Sequence, residues 1–252
     1  MVELEGEIYL KVYKRLFHIP AWRGSPHSQP IMANYHIRKY EDKDYDAVRD
    51  IFAIGMSEHI PACFTHCLKQ PVIQLSLMCI FCAFLLSSKS FLLPVMAVTF
   101  LLAAARQVLN IMFRSYIERS LNEDLLDINK SYMQGKDSSF WIAECDGNVV
   151  ATVSTIPSKE EPGTLELKRM SVKKNYRGCG IAKALCRTVL QFARENGYPT
   201  VILKTSVVQY DAQKLYEYFG FKKSREFVVP ERIAKLCNFT VIVYRYDVLA
   251  HD

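Results

Sequence analysis

The chain has 252 residues, half of them hydrophobic and 23% charged, which excludes a disordered chain and fits one large domain or a medium domain with an appendage. The formal net charge of +6 comes without a dense basic stripe interleaved with aromatics. It argues against nucleic-acid binding and favours anionic partners, such as an acidic cofactor or a phospholipid surface.

Residues 1–31 read as a leader. No long apolar run lies near Met1, so a secretory signal is not expected. Ile8, Leu10, Val12, Leu16 and Phe17 alternate with Lys11, Lys14 and Arg15, which suits either a short amphipathic membrane-surface helix or a weakly ordered segment. Pro20, Pro26 and Pro30 mark a linker, and the foldable pattern of 32–252 begins just after it.

Tyr35–Tyr40 predicts a strand. Glu41–His59 predicts a helix, with Tyr45, Val48, Ile51 and Phe52 at helical spacing and Pro61 ending it. In the segment 70–105 the only charged side chain is Lys89. The segment splits into Pro71–Leu86 and Phe91–Ala105, joined by Ser87-Ser88-Lys89-Ser90. Each half is slightly short of the roughly 20 apolar residues that a span needs. A helical hairpin that crosses the bilayer or dips into it is expected, with Lys89 at the tip near headgroups. Cys79 and Cys82 form a CxxC inside this run and read as two small apolar residues of a buried or lipid-facing helix. The eight cysteines are irregularly spaced, and no His/Cys pattern suggests a metal site.

A soluble pattern follows. Leu121–Gln134 predicts an amphipathic helix. Ser139–Cys145 and Val149–Ile156 predict a hairpin turned by Asp146-Gly147. Leu165–Val172 predicts a strand, Gly180–Asn196 a helix, Thr200–Ser206 a strand and Asp211–Phe219 a short helix. Ser224–Pro230 and Phe239–Val248 predict a closing antiparallel pair.

The chemistry concentrates where the strand ending Met170-Ser171-Val172 runs through Lys173-Lys174-Asn175-Tyr176 into Arg177-Gly178-Cys179-Gly180-Ile181-Ala182. A basic, glycine-containing turn here opens directly into a helix. Main-chain N–H groups at a helix start lack intrahelical partners, and the helix dipole adds positive potential. Such a turn suits a pyrophosphate. The spacing R-x-x-G-x-A is neither a Walker loop nor a G-x-G-x-x-G. Ile181, Leu185, Val189 and Phe192 line one face of the following helix, and Gly197 suits its C-terminal cap.

These elements, with the later Ala212-x-x-Leu215-Tyr216-x-x-x-Gly220-Phe221, resemble the GNAT acetyltransferase superfamily over roughly Tyr35–Val248. Within it the chain is similar to the camello, or N-acetyltransferase-8-like, group. The similarity rests on His36-Ile37-Arg38-Lys39-Tyr40, the apolar double segment, Glu166–Val172, Gly180–Leu185, Val189–Arg194 and Gly220–Lys223. The resemblance implies an α/β (α+β) fold: a mixed, central twisted sheet with flanking helices, interrupted by the 70–105 hairpin. It also implies acetyl-CoA as cosubstrate, without a metal. The acceptor would be a primary amine, either a small molecule such as a cysteine S-conjugate or a protein lysine. A non-catalytic membrane scaffold is the competing reading.

Roles follow from the resemblance. Main-chain groups of Met170 and Val172 would pair with the pantetheine arm. Arg177, Gly178, Cys179, Gly180, Ile181 and Ala182 would cradle the pyrophosphate. Gln209 stands where many members carry Asn. Tyr216 would be the general acid for the leaving thiolate. Glu166, just before the cofactor-binding end of the strand, is the candidate general base, whereas His36 and His59 read as structural histidines. The group sits in endoplasmic reticulum and Golgi membranes. The strand Tyr35–Tyr40 must share a sheet with strands after residue 139, which requires an even number of crossings or a dip. Lys69, Arg106 and Arg114 flank the apolar run and favour a cytosolic catalytic domain. The sequons at Asn129 and Asn238 would then go unused.

Overall fold

A computed structural model describes residues 34–88 and 90–248. The leader at 1–31 and the hairpin tip at Lys89 lie outside the described residues.

The chain builds a seven-stranded mixed sheet. Its strands are β1 (Tyr35–Lys39), β2 (Ser139–Cys145), β3 (Asn148–Pro157), β4 (Thr164–Val172), β5 (Thr200–Ser206), β6 (Lys222–Val228) and β7 (Thr240–Asp247). Their order is β1-β2-β3-β4-β5-β7-β6. Every neighbouring pair is antiparallel except β4 and β5, which run parallel. β2 and β3 are buried along nearly their whole length because helices cover both faces.

On one face lies α5 (Ile181–Glu195), whose Leu185, Val189 and Ala193 are fully buried against Val153, Leu165 and Leu203. Each such aliphatic side chain contributes about 2 kcal/mol of apolar burial. On the other face lies α1 (Tyr45–Ser57), whose Val48, Ile51 and Phe52 pack with Phe140 and Ile142. β1 is tied down by Arg38, which donates to Asp44 at 2.6 and 2.8 Å and to Glu144 at 2.6 and 2.8 Å.

The structure departs from the sequence reading at several elements. The helix expected to run to His59 stops at Ser57, and Pro61 opens a new one, α2 (Ile60–Leu68), rather than closing the old. Proline's missing N–H is harmless in a first turn. The apolar run forms α3 (Pro71–Ser88) and α4 (Leu92–Asn122), which pack against each other. α4 does not end at Ala105. It runs on unbroken for about 46 Å, and Leu109, Ile117 and Ser120 at its far end are buried in the domain. The predicted helix Leu121–Gln134 is therefore only the last turn of α4, a turn, and a single π-helical turn at Asn129–Met133. Of the closing pair, β6 begins two residues earlier than predicted, at Lys222, and β7 one residue later, at Thr240. α6 spans Tyr210–Tyr218, and a short α7 (Arg232–Leu236) had no clear signal.

α3 buries none of its residues, and the apolar half of α4 buries few. Leu75, Met78, Leu86, Met96 and Phe100 are exposed. Both helices are long and apolar enough to cross a membrane. Cys79 and Cys82 are exposed on α3 as free thiols.

Candidate active site

The site begins with a defect in β4. β3 and β4 pair through Thr152↔Ser171 and Ser154↔Lys168, so β4 carries one extra residue between them. This bulge includes Arg169, which adopts φ 54°. Thr152 Oγ1 donates to the carbonyl of Arg169 at 2.8 Å and Ser154 Oγ to that of Lys168 at 3.2 Å, which satisfies two bulge acceptors. The extra residue flips the side-chain alternation. Leu165 and Leu167 face α5 before the bulge, and Met170 and Val172 face it afterwards. Ser171 faces the opposite side, where its Oγ donates to the carbonyl of Ile51 on α1 at 3.3 Å.

β4 then separates from β5. Their pairing covers only Thr164–Leu167 against Thr200–Leu203, and no described strand pairs with 168–172 on that edge. The result is a wedge-shaped gap between two parallel strands, with free main chain along one wall. Glu166 lies just inside its closed end, opposite Ile202, with a mostly buried side chain 3.7 Å from Lys204 Nζ.

At the end of β4 the chain turns into α5 through Gly178 and Gly180, at φ 80° and 82°. A Cβ added at either glycine would meet nothing within 4 Å. Backbone conformation therefore selects glycine here, and the space above the turn is open. Gly180 is the N-cap of α5, and its carbonyl already accepts from the N–H of Ala184 at 3.0 Å. The N–H groups of Ile181, Ala182 and Lys183 belong to the first turn, so the helix offers them no acceptor. Arg177 braces the turn. Its Nε donates to the carbonyl of Val172 at 3.0 Å, and its guanidinium pairs with Glu58 at 2.6 Å. Cys179 is partly buried beside the α5 core. Open space, free strand edge and a positive helix start together fit an elongated anionic ligand carrying a diphosphate.

Beyond the gap lies a cavity of about 720 Å³. Its polar end is made by His59, Thr205, Ser206 and Gln209, and Arg119 and Lys204 also line it. The remaining wall is largely apolar, with Cys63, Cys67, Met112, Phe113 and Phe239 from α2, α4 and the segment before β7.

Gln209 is the N-cap of α6. Its carbonyl accepts from Ser206 N at 2.9 Å, Thr205 Oγ1 at 3.0 Å and Ser206 Oγ at 3.1 Å. Its amide nitrogen faces His59 Nε2 at 3.2 Å. Burial, helped by the charge of Arg177, holds the His59 imidazole below its ordinary pKa. Tyr216 sits in the core, 5% exposed, with its ring against Phe221 and Tyr244. Its hydroxyl makes no hydrogen bond among the described residues. Burial pushes the phenol well above the usual tyrosine pKa, with a smaller contribution from Cys186. The fold thus brings Met170, Val172 and Arg177–Ala182 to one end of the gap, with Glu166 at its closed end. Gln209 lies on the cavity wall and Tyr216 beneath α6.

A family profile described as Acetyltransferase (GNAT) family matches residues 105–221. The probable N-acetyltransferase camello of Xenopus tropicalis is 40% identical over 217 residues, covering 86% of this chain and 99% of that one. N-acetyltransferase 8 of Rattus norvegicus is 43% identical over 198 residues, covering 77% and 89%. The chain belongs to the GNAT acetyltransferase family. A GNAT-family acetyltransferase of Staphylococcus aureus Mu50 shares the fold at TM-score 0.52 and 18% identity, over 85% of this chain and 99% of that one. By this membership the chain is an acetyl-CoA-dependent N-acetyltransferase, with the mixed sheet and flanking helices expected of a GNAT fold. His59, Arg119 and Lys204 line the cavity beside this site, a placement that the sequence reading did not make. His59 was read as structural, and nothing local predicts its approach to a residue 150 positions away.

Proposed function

We propose that this GNAT enzyme is membrane-attached and acetylates the primary amine of a small amphiphilic molecule such as a cysteine S-conjugate. The observation that carries this reading is the adjacency of the β4–β5 gap to a large, mostly apolar cavity. Acetyl-CoA supplies the acetyl group as an activated thioester. The first-turn N–H groups of Ile181 and Ala182, with the glycine turn 178–180 and Arg177, hold its diphosphate. The free edge of β4 at Met170 and Val172 holds the pantetheine arm as an added strand. A main-chain N–H of that edge polarises the carbonyl oxygen. The side chain of Gln209 is committed to Thr205, Ser206 and His59, so any contact with the cosubstrate uses its main chain or displaces those bonds.

The acceptor must lose a proton before attack. Glu166 takes it through water, and Tyr216, protonated at neutral pH, donates one to the departing thiolate. Holding both reactants in line supplies several kcal/mol of barrier reduction. An apolar cavity of this size favours a compact amine with a hydrophobic body over a lysine on a protein surface.

The exposed apolar faces of α3 and α4 lie in a bilayer of the endoplasmic reticulum or Golgi. Lys69 at one end of the hairpin and Arg106 at the other keep the catalytic domain cytosolic. Within the domain expected over 32–252, the described residues are then one folded unit carrying a membrane hairpin. The test is an acceptor screen with labelled acetyl-CoA on the detergent-solubilised chain, comparing amphiphilic amines, cysteine S-conjugates and lysine peptides. Transfer to lysine peptides alone overturns the small-molecule reading, and glycan on Asn129 or Asn238 in microsomes overturns the cytosolic placement.

A further inference from the structure

The short helix α7 is apolar on two sides. Ala234, and Cys237 at the C-cap, turn inward and are buried. At helical spacing the remaining arc runs from Lys235 and Arg232 to Leu236 and Ile233, and all four side chains are exposed. Leu236 is 52% exposed, although a leucine on so small a helix gains most by burial. The exposed Phe227 near the end of β6 and Ile233 both border the 720 Å³ cavity, so apolar surface continues from α7 to the cavity rim. Arg232 and Lys235 make no ion pair among the described residues, and the neighbouring acid Glu231 lines the cavity instead. An exposed arc that is half apolar and half unpaired cation matches the boundary between lipid tails and anionic headgroups.

The position of α7 agrees with that chemistry. Cys237 packs in one cluster with Cys67 on α2 and Leu109 on α4. His66 Nε2 donates to the carbonyl of Asn238 at 3.2 Å, and its ring meets Phe239 edge-on. His66 lies in the last turn of α2, which passes through Lys69 and Gln70 directly into the apolar α3. Leu109 lies on the same helix as the apolar half of α4, three residues beyond Arg106. The end of α7 is thus fastened to both strands of chain that enter the hairpin, within about one helical turn of its base. One short helix and a strand end offer too little surface for a stable protein interface. A bilayer already reached by the adjoining hairpin needs no such area.

We infer that α7 is a second membrane contact, with Ile233, Leu236 and Phe227 resting in the headgroup layer of an anionic bilayer and Arg232 and Lys235 on its phosphate groups. This rests on the reading of α3 and α4 as a membrane hairpin. It fixes the tilt of the domain, because the hairpin base and α7 then touch the same surface. The cavity rim, bounded by Ile111 and Tyr116 on α4 and by Phe227 and Ile233 opposite, opens at that surface.

The test places a tryptophan at Leu236 in the full chain, reconstituted in vesicles of phosphatidylcholine and phosphatidylserine with acyl chains brominated near the headgroup. Phe84→Trp, on an exposed position of α3, reports the hairpin separately. Each is read against the parent chain, which has tryptophans of its own. The emission that Leu236→Trp adds should be quenched at least about twofold by the bromine. The variant should bind acetyl-CoA as the parent does, which shows that it folds. Arg232→Glu with Lys235→Glu in that background, or vesicles of phosphatidylcholine alone, should remove about half of the quenching or more. Leu236→Trp unquenched while Phe84→Trp is quenched overturns the inference and leaves the membrane hairpin intact. Equal quenching in neutral vesicles, indifferent to the charge reversals, overturns the anionic surface as the partner. Shielding of Leu236→Trp already present in detergent and lost on dilution assigns the face to a second copy of the chain and overturns the inference too. Phe84→Trp unquenched overturns the membrane reading on which it rests.

Discussion

Arg169 donates from Nε to Asp124 Oδ2 at 2.9 Å, and a second guanidinium nitrogen bonds Asp124 Oδ1. This pair joins the β4 bulge to the turn after α4. The Arg169 side chain is 9% exposed, its guanidinium lies 4.6 Å from the centre of the Phe52 ring, and Tyr132 also donates to Asp124. Arg169 occupies a left-handed conformation that costs a side-chain-bearing residue about 1 kcal/mol. The pair offsets that cost by gripping the residue from across the sheet. Asp124→Ala leaves a buried guanidinium without its partner and should destabilise the domain by about 3–5 kcal/mol. Thermal melts in detergent measure this. As the bulge relaxes, Met170 and Val172 lose their alignment along the gap, so acetyl-CoA affinity should fall in parallel.

The same carboxylate predicts an acid limb in stability. Burial alone would raise Asp124, but the hydrogen bonds from Arg169 outweigh it and hold it below the usual carboxylate range. Asp44 behaves alike, raised by burial and lowered further by Arg38 and the N–H of Glu41. Both folded values lie below the unfolded value of about 3.9. Their stabilisation is therefore complete above about pH 5 and is lost as pH falls through the folded values, where the unfolded chain binds more protons. Melting temperature should stay level from pH 7 to about 5 and drop below that. In Asp124→Asn the fall per pH unit should be shallower, since one of the depressed carboxylates no longer titrates. An unchanged slope would mean that the Asp124–Arg169 pair is not maintained in solution.

How far the sequence could be read follows from the range of the interactions involved. The α5 turn was legible because its determinants are contiguous: Gly178 and Gly180 supply the dihedrals, and Ile181, Leu185 and Val189 supply the buried face. The β2–β3 hairpin was legible from Asp146-Gly147 between two strand-like runs. The bulge at Arg169 was not, because its extra residue is defined only against Thr152 and Ser154 on the neighbouring strand. The end of α4 was misread because Leu121 and Leu125 continue a helical spacing that the Asp124–Arg169 pair interrupts. His59 and Gln209 lie 150 positions apart and meet only through the tertiary fold.

Gly180 provides a direct test of the proposed phosphate-binding turn. Its φ of 82° is accessible to glycine without strain, and the space above it is open. Gly180→Glu should weaken acetyl-CoA binding at least tenfold, about 1.4 kcal/mol, through backbone strain and a carboxylate placed against the diphosphate. Gly180→Ala adds only the strain and should fall between it and the wild type. Titration calorimetry with acetyl-CoA gives the order directly. Full affinity in the glutamate variant would remove the turn from the site.

Tyr216 separates a packing role from a chemical one. The ring is packed between Phe221 and Tyr244, and the hydroxyl makes no hydrogen bond among the described residues. Tyr216→Phe keeps every ring contact and leaves no buried partner unsatisfied, so stability should change by less than about 0.5 kcal/mol. Burial keeps the phenol protonated throughout the working range, so in the proposed mechanism it can act only as a proton donor and not as a base. Removing it should lower kcat about 100-fold while leaving the KM for acetyl-CoA close to the wild-type value. Glu166→Gln, which removes the proposed base, should instead lower kcat most at low pH, where the acceptor amine is most fully protonated. Tyr216→Phe with unaltered kcat would make the residue a core aromatic, and the departing thiolate would then take its proton from water in the gap.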